Sequence, residues 1–177
     1  MKKTDITVLG QENTFELIGK QWMLITAGSK SRFNTMTASW GGLGVLWNKN
    51  VATIYVRPSR YTHEFLLQHD RVTLTFLPES CRNALRICGS KSGRDSDKVA
   101  EAGLTPIPLE SGAMTFGEAR LVLDCRKLYV ARMAKEDFTD SAVFDQWYAH
   151  PDEGGLHTVC ILEIENVYTN PHDGLRS

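Results

Sequence analysis

None of the four cysteines (Cys81, Cys88, Cys125, Cys160) has a second cysteine three positions on, and no histidine stands at zinc-finger spacing from one. Buried free thiols are the simplest use for such residues. Charge of one sign is missing too. Twenty Lys and Arg against 21 Asp and Glu leave a net charge of −1, which exerts no general pull on nucleic acid or an anionic membrane. No stretch approaches the roughly 18 continuous apolar residues of a membrane span. Asp5, Gln11 and Glu12 interrupt any signal-peptide core behind Lys2 and Lys3. The cytoplasm is the default expectation. Internal repeats, low-complexity tracts and long polar linkers are absent, as are a G-x-G-x-x-G or Walker phosphate loop and any β-α-β alternation.

What is present is an ordinary balance for one domain: 177 residues, 42% hydrophobic and 23% charged. The expected domain is 1–177, with its core at about 14–168 and a tail over 169–177. Residues 1–13 read as a loose lead-in. Strands are expected over 22–27, 35–40, 51–56 and 71–76, the last with Val72, Leu74 and Phe76 on one face and Thr73 and Thr75 on the other. A short helix over 62–68 could be capped by Thr62 or Ser59, and a second, capped by Ser80 and stopped by Gly89, aligns Cys81, Ala84, Leu85 and Cys88. Residues 99–102 lead to a stop at Gly103, and Pro106 and Pro108 mark a loop. From Ala119 to Val130 the apolar phase changes, which implies a long strand bent by a bulge near Arg126 and Lys127. A helix over 141–148, a last strand over 157–167 and a frayed end from 170 complete the chain. Strands dominate, so the fold class is mainly β: an antiparallel barrel with a few short helices.

The chain is organised around residues 34–60. Small and β-compatible residues come first, then Gly41, Gly42 and Gly44, where backbone can bend or be approached closely. Arg57 follows an apolar run and precedes Ser59, Arg60, Tyr61 and Thr62. A strand with open amides that ends near hydroxyls and guanidinium groups could hold a flat ring and a phosphate. Arg57 and Ser59 lie where a strand gives way to a helix, and helix N-termini favour phosphate. An ordinary cap with a surface Arg accounts equally for the same residues.

These residues, Thr37-Ala38-Ser39-Trp40 and then Arg57-Pro58-Ser59-Arg60-Tyr61-Thr62, with Ser92-Gly93-Arg94-Asp95, Lys98 and Gly155-Leu156-His157, resemble the flavin reductase-like proteins and within them the flavoredoxin branch. The likeness runs over about 22–167. It implies a split β-barrel that binds FMN, as a homodimer with the cofactor near the subunit interface. It also implies that the main chain of Met36, Thr37, Ala38 and Ser39 faces the flavin ring, with Trp40 beside it. Arg57, Ser59 and Thr62, with Tyr61 adjacent, would hold the phosphate, and the segment carrying Ser92, Gly93, Arg94 and Lys98 would close over the cofactor. His157 matches a family Gly-Asp-His motif placed near the nicotinamide of NADH or NADPH. Here the motif reads Gly-Leu-His, and Leu162 stands where a glycine is common, departures that bear on the nicotinamide site more than on the flavin site.

Several roles stay open at this level. Lys98 or Arg94 could be a donor to the flavin N1–O2 edge, or each a solvated charge. Trp40 and Trp47 could stack on the flavin or gate it, or fill a core or interface. His157 could meet nicotinamide or be a satisfied strand residue. Residues 137–140 read as a loop and not a calcium site. The function expected is NAD(P)H-dependent hydride transfer to flavin. The alternatives are an FMN-bearing electron carrier serving a redox protein partner, with no nicotinamide site, and a flavin-binding protein without turnover.

Overall fold

The structure, a computed structural model, describes residues 1–150 and 154–170. Its strands are β1 (Lys2–Thr4), β2 (Met23–Ser29), β3 (Arg32–Ala38), β4 (Gly41–Leu46), β5 (Lys49–Val56), β6 (Arg71–Phe76), β7 (Pro106–Pro108), β8 (Met114–Phe116), β9 (Leu121–Arg132) and β10 (Thr158–Thr169). The helices are α1 (Thr14–Glu16, continued by a wide turn over Leu17–Gln21), α2 (Tyr61–Gln68), α3 (Arg82–Ser90), α4 (Lys98–Glu101) and α5 (Ser141–Tyr148).

Seven strands pair, all antiparallel, in the order β3-β2-β6-β9-β10-β5-β4, and β1 adds to β10. β3 and β4 stand at opposite ends of this order, yet only Ser39 and Trp40 separate them in the chain. That connection reaches about 11 Å at most. Seven strands laid flat would span about 29 Å. The sheet must therefore curl until its ends meet, giving the expected barrel, split at the seam between β3 and β4. A methyl group added at Gly41 would lie 2.8 Å from the Thr53 carbonyl and 3.2 Å from Met23 Cε, so only glycine fits where β4 leaves the seam.

The barrel interior holds Ile25, Ile54, Leu74, Leu123 and Leu162, and a second cluster of Leu24, Leu85, Phe116, Val122 and Tyr168 lies outside it. β2 contributes Leu24 to one and Ile25 to the other, as the strand alternation requires. The threonines of β6 do not meet solvent. Thr73 donates to the Met114 carbonyl at 2.6 Å, and Thr75 bonds the Thr115 hydroxyl at 2.8 Å, because the β7–β8 hairpin covers that face. Three cysteines are buried, Cys81 is half-buried, and all four are free thiols.

Several local expectations need correction. The lead-in is not loose, since Lys2–Thr4 pairs with β10. Pro106 and Pro108 frame a strand, not a loop; on a two-stranded edge only Ile107 between them need offer an amide. α2 begins after Arg60 with no side-chain cap, and Thr62 is buried, taking a hydrogen bond from Asn34 Nδ2 at 2.7 Å. Ser80 lies in a short 3-10 turn before α3, which also lacks a side-chain cap and runs past Gly89 to Ser90. A methyl group at Gly89 would stand 3.4 Å from Thr37 Cβ, so glycine there serves the approach of α3 to β3. The bulge falls at Leu128, one position from the expected pair, with a second at Glu165 opposite. Asp137 closes a 3-10 turn, and Asp140 caps α5 by accepting from the Ala142 amide at 2.9 Å. Of the expected frayed end, all but Asn170 lies outside the described residues.

Candidate functional site

Among the described residues β3 pairs with β2 alone, so along the seam its other edge has no strand partner there. There a cleft of about 160 Å³ opens, lined by residues 36–40 of the β3 end and by Tyr55, Arg57, Arg60 and His157. The fold explains the grouping. Thr158 pairs with Val56, so the start of β10 and the end of β5 bring His157 beside Arg57. Arg60 arrives one turn later at the head of α2.

The electrostatics of this cleft are cationic and half dry. Burial lowers the His157 pKa from 6.5 to about 4, and the Arg57 charge adds to the effect. The imidazole is therefore neutral near pH 7. Its Nδ1 lies 2.8 Å from the Tyr148 hydroxyl, and its ring centroid is 5.3 Å from that of Trp40. Arg57 Nη2 donates to the Trp147 carbonyl at 2.9 Å, and its guanidinium carbon lies 5.2 Å from the Tyr148 ring centroid. Arg60 Nη2 donates to the Cys88 carbonyl at 3.2 Å, and burial lowers its pKa. Thr37 Oγ1 donates to the Leu85 carbonyl at 2.5 Å, tying the strand to α3.

Met36, Thr37, Ala38, Ser39, Trp40, Arg57 and His157 are thus brought together. Ser59 lies next to Arg57 and against Gly154, where an added methyl group would meet its hydroxyl oxygen at 2.0 Å. The remaining expected residues collect elsewhere. Gly93, Arg94 and Lys98 line a second, wider cleft with Phe33 and Asn34. Ser92 Oγ accepts from the Arg94 amide at 3.2 Å. Arg94 pairs with Glu64, donates to the Ser59 carbonyl at 3.2 Å and lies over the Tyr61 ring. The Tyr61 hydroxyl accepts from Arg32 Nη2 at 2.6 Å. Lys98 is buried, and its Nζ donates to the carbonyls of Cys88 and Lys91 at 3.4 and 3.2 Å. Desolvation, with the Arg60 charge adding to it, lowers its pKa from 10.5 to about 8. Trp47 stands at an exposed hairpin tip with φ of 52°, away from the cleft.

Arg60 belongs to the guanidinium and hydroxyl cluster read from the sequence, whereas Tyr55 was legible and missed. Positions 53, 55 and 57 share one face of β5, so a site at Arg57 implicates Tyr55 by alternation alone. Trp147 and Tyr148 carried no such signal, because their place depends on how α5 folds back. Among the described residues, no group of three or more His, Cys, Asp or Glu side chains could hold a metal ion, and no helix is long and apolar enough to cross a membrane.

Fold and cleft together define a class, the curled antiparallel barrels whose seam opens beside a strand edge. Solved structures share this fold. Flavoredoxin of Desulfovibrio vulgaris (Miyazaki F) is 21% identical with a TM-score of 0.66, covering 97% of this chain and 78% of its own. Flavoredoxin from Methanosarcina acetivorans is 20% identical at 0.65, over 85% and 69%. An NADH:FAD oxidoreductase of Streptomyces globisporus is 18% identical at 0.62, over 86% and 76%. The sequence profile of the flavin reductase like domain matches residues 15–176, and the chain belongs to that family. A search of curated proteins returned no significant match.

Proposed function

We propose that the seam cleft binds FMN and that the protein is an NAD(P)H-dependent flavin oxidoreductase. The observation that carries this reading is the meeting of an unpaired strand edge with two guanidinium groups in one cleft. A planar ring rimmed by donors and acceptors can satisfy the main chain of residues 36–39, which lacks a ladder on that side. Arg57, with Ser59 and helped by Arg60, suits a phosphate dianion, for which a guanidinium offers paired donors. Trp40 and Tyr55 wall the ring. Bound flavin would supply the chemistry, accepting a hydride at N5 and passing electrons on. The protein supplies orientation, charge and a neutral His157 at the open side. Gly93, Arg94 and Lys98 face the second cleft, from which Lys98 and Arg60 share one carbonyl, so they support the phosphate side from behind.

An electron carrier with bound FMN is the second reading. It is favoured by Tyr148, which already engages His157 Nδ1 on the side where nicotinamide would lie. The two part in one anaerobic experiment on FMN-loaded protein. NADH or NADPH bleaches the visible flavin band of a reductase within seconds. A carrier keeps its colour with both, yet bleaches with dithionite. Folded protein that binds no FMN would sink both readings.

A further inference from the structure

A buried lysine and a half-buried arginine stand between the two clefts without an anion. Arg60 lines the seam cleft and Lys98 the second one. Arg60 Nη2 and Lys98 Nζ meet on the same Cys88 carbonyl, and Lys98 also donates to the Lys91 carbonyl at 3.2 Å. Lys98 is 3% exposed, yet among the described residues neither cation has a carboxylate partner. An ammonium taken out of water is costly unless an opposite charge compensates it. The two carbonyls at the end of α3 offset part of that cost, and an anionic ligand would supply the rest.

The second cleft has room for more than an ion. It is the larger of the two, about 610 Å³ against about 160 Å³, and falls within the roughly 300–1,000 Å³ of small-molecule sites. Phe33, Val99, Leu104 and Pro106 give it an apolar wall, and Asp95 and Ser96 a polar rim. Both clefts lie along β3, the second beside Phe33 and Asn34, the seam cleft beside residues 36–38. Arg94, on the second cleft, donates to the carbonyl of Ser59, the neighbour of Arg60. A flat site, a bank of cations and a second flat site therefore follow one another. We propose that the second cleft holds the adenosine half of FAD, whose two linked phosphates lie across Arg57, Arg60 and Lys98 while the isoalloxazine fills the seam cleft. The proposal rests on the flavin reading of the seam cleft. FMN brings one phosphate and leaves Lys98 uncompensated. FAD brings a second phosphate one linkage further on, toward Lys98. The apolar wall suits the purine faces, and Asp95 and Ser96 can accept from ribose hydroxyls.

Ala100 is exposed on α4 and lines the second cleft, so Ala100→Trp fills that cleft from outside the core. Lys98→Met removes the charge at similar side-chain length. Calorimetric titration of wild type and both variants with FMN and with FAD, with thermal unfolding as the fold control, tests the proposal. Wild type should bind FAD about ten- to hundredfold more tightly than FMN, the worth of one charge-assisted hydrogen bond. Ala100→Trp should remove that advantage and leave FMN affinity unchanged. Lys98→Met should cost FAD about tenfold more than it costs FMN. FAD binding no tighter than FMN in wild type, or equal losses for both flavins in Ala100→Trp, would overturn the second cleft while the flavin reading stands. Folded protein that binds neither flavin would overturn both. NAD+ carries the same adenylate. If Ala100→Trp weakens NAD+ binding to the FMN-loaded protein and spares FAD, the second cleft belongs to the nicotinamide donor and the FAD assignment is wrong.

Discussion

His157 shows how much a single side chain reports about its surroundings. It is buried at the start of β10, bonded to Tyr148 and close to a fixed positive charge, so protonating it in the folded state is unfavourable. An unfolded chain would take up that proton near pH 6.5, the folded one only near 4. The unfolded state therefore binds more protons across that window, and stability falls as pH falls through it. The contribution is fully present above pH 6.5 and lost by about pH 4. Urea unfolding of wild type and His157→Gln at steps across this range should show a shallower pH dependence in the variant; parallel curves would refute the assignment. His63 also has a lowered pKa through burial and remains in both proteins, so the difference isolates His157. At this scale the sequence offered Arg57, Ser59 and Lys98 alike, but Lys98's place in a polar run hid its burial at the end of α3.

At the scale of elements, the longer alternating strands were legible because period-two alternation survives any barrel curvature, while β1, β4, β7 and β8 were not. β6 is the example: it occupies the residues read from its pattern. Caps were not legible. Ser59, Thr62 and Ser80 all have the right chemistry, but Thr62 is claimed by Asn34 and the other two sit outside the first turn. The loop after α3 shows a further dependence that pattern cannot reveal. A methyl group at Gly93 would lie 2.1 Å from Asn34 Oδ1, and the buried Asn34 cannot yield, because its amide is committed to Thr62. Gly93→Ala should lower unfolding stability by about 1–3 kcal/mol, the usual effect of overpacking. Denaturant midpoints check this, and a shift inside experimental scatter would mean that the loop moves aside freely.

For the whole molecule, the barrel leaves an apolar hairpin end outside. Val45 is 73% exposed and Trp47 56%, with Leu46 between them on the outer strand β4. An exposed apolar strand edge of this kind invites a partner. A second copy of the chain, meeting along this edge, is the occupant we propose. Light scattering at micromolar concentration should return twice the 19.9 kDa chain mass, and Trp47→Asp should move it toward the single mass. A wild-type protein that stays at the single mass would exclude the pairing. The barrel class could be read from strand dominance. The seam could not, since it follows from which strands are neighbours, and β10 finds its place between β9 and β5 across more than a hundred residues of chain.

That placement has a consequence for synthesis. Among the described residues, β4 and β5 join the rest of the seven-strand order only through β10, made long after them, and β1 pairs with β10 as well. A chain still emerging from the ribosome therefore holds two unsealed part-sheets and an unpaired β1 until β10 appears. His157 and Arg57 meet only at that moment. The cleft proposed for the flavin is thus completed only once β10 has been made and has paired with β5.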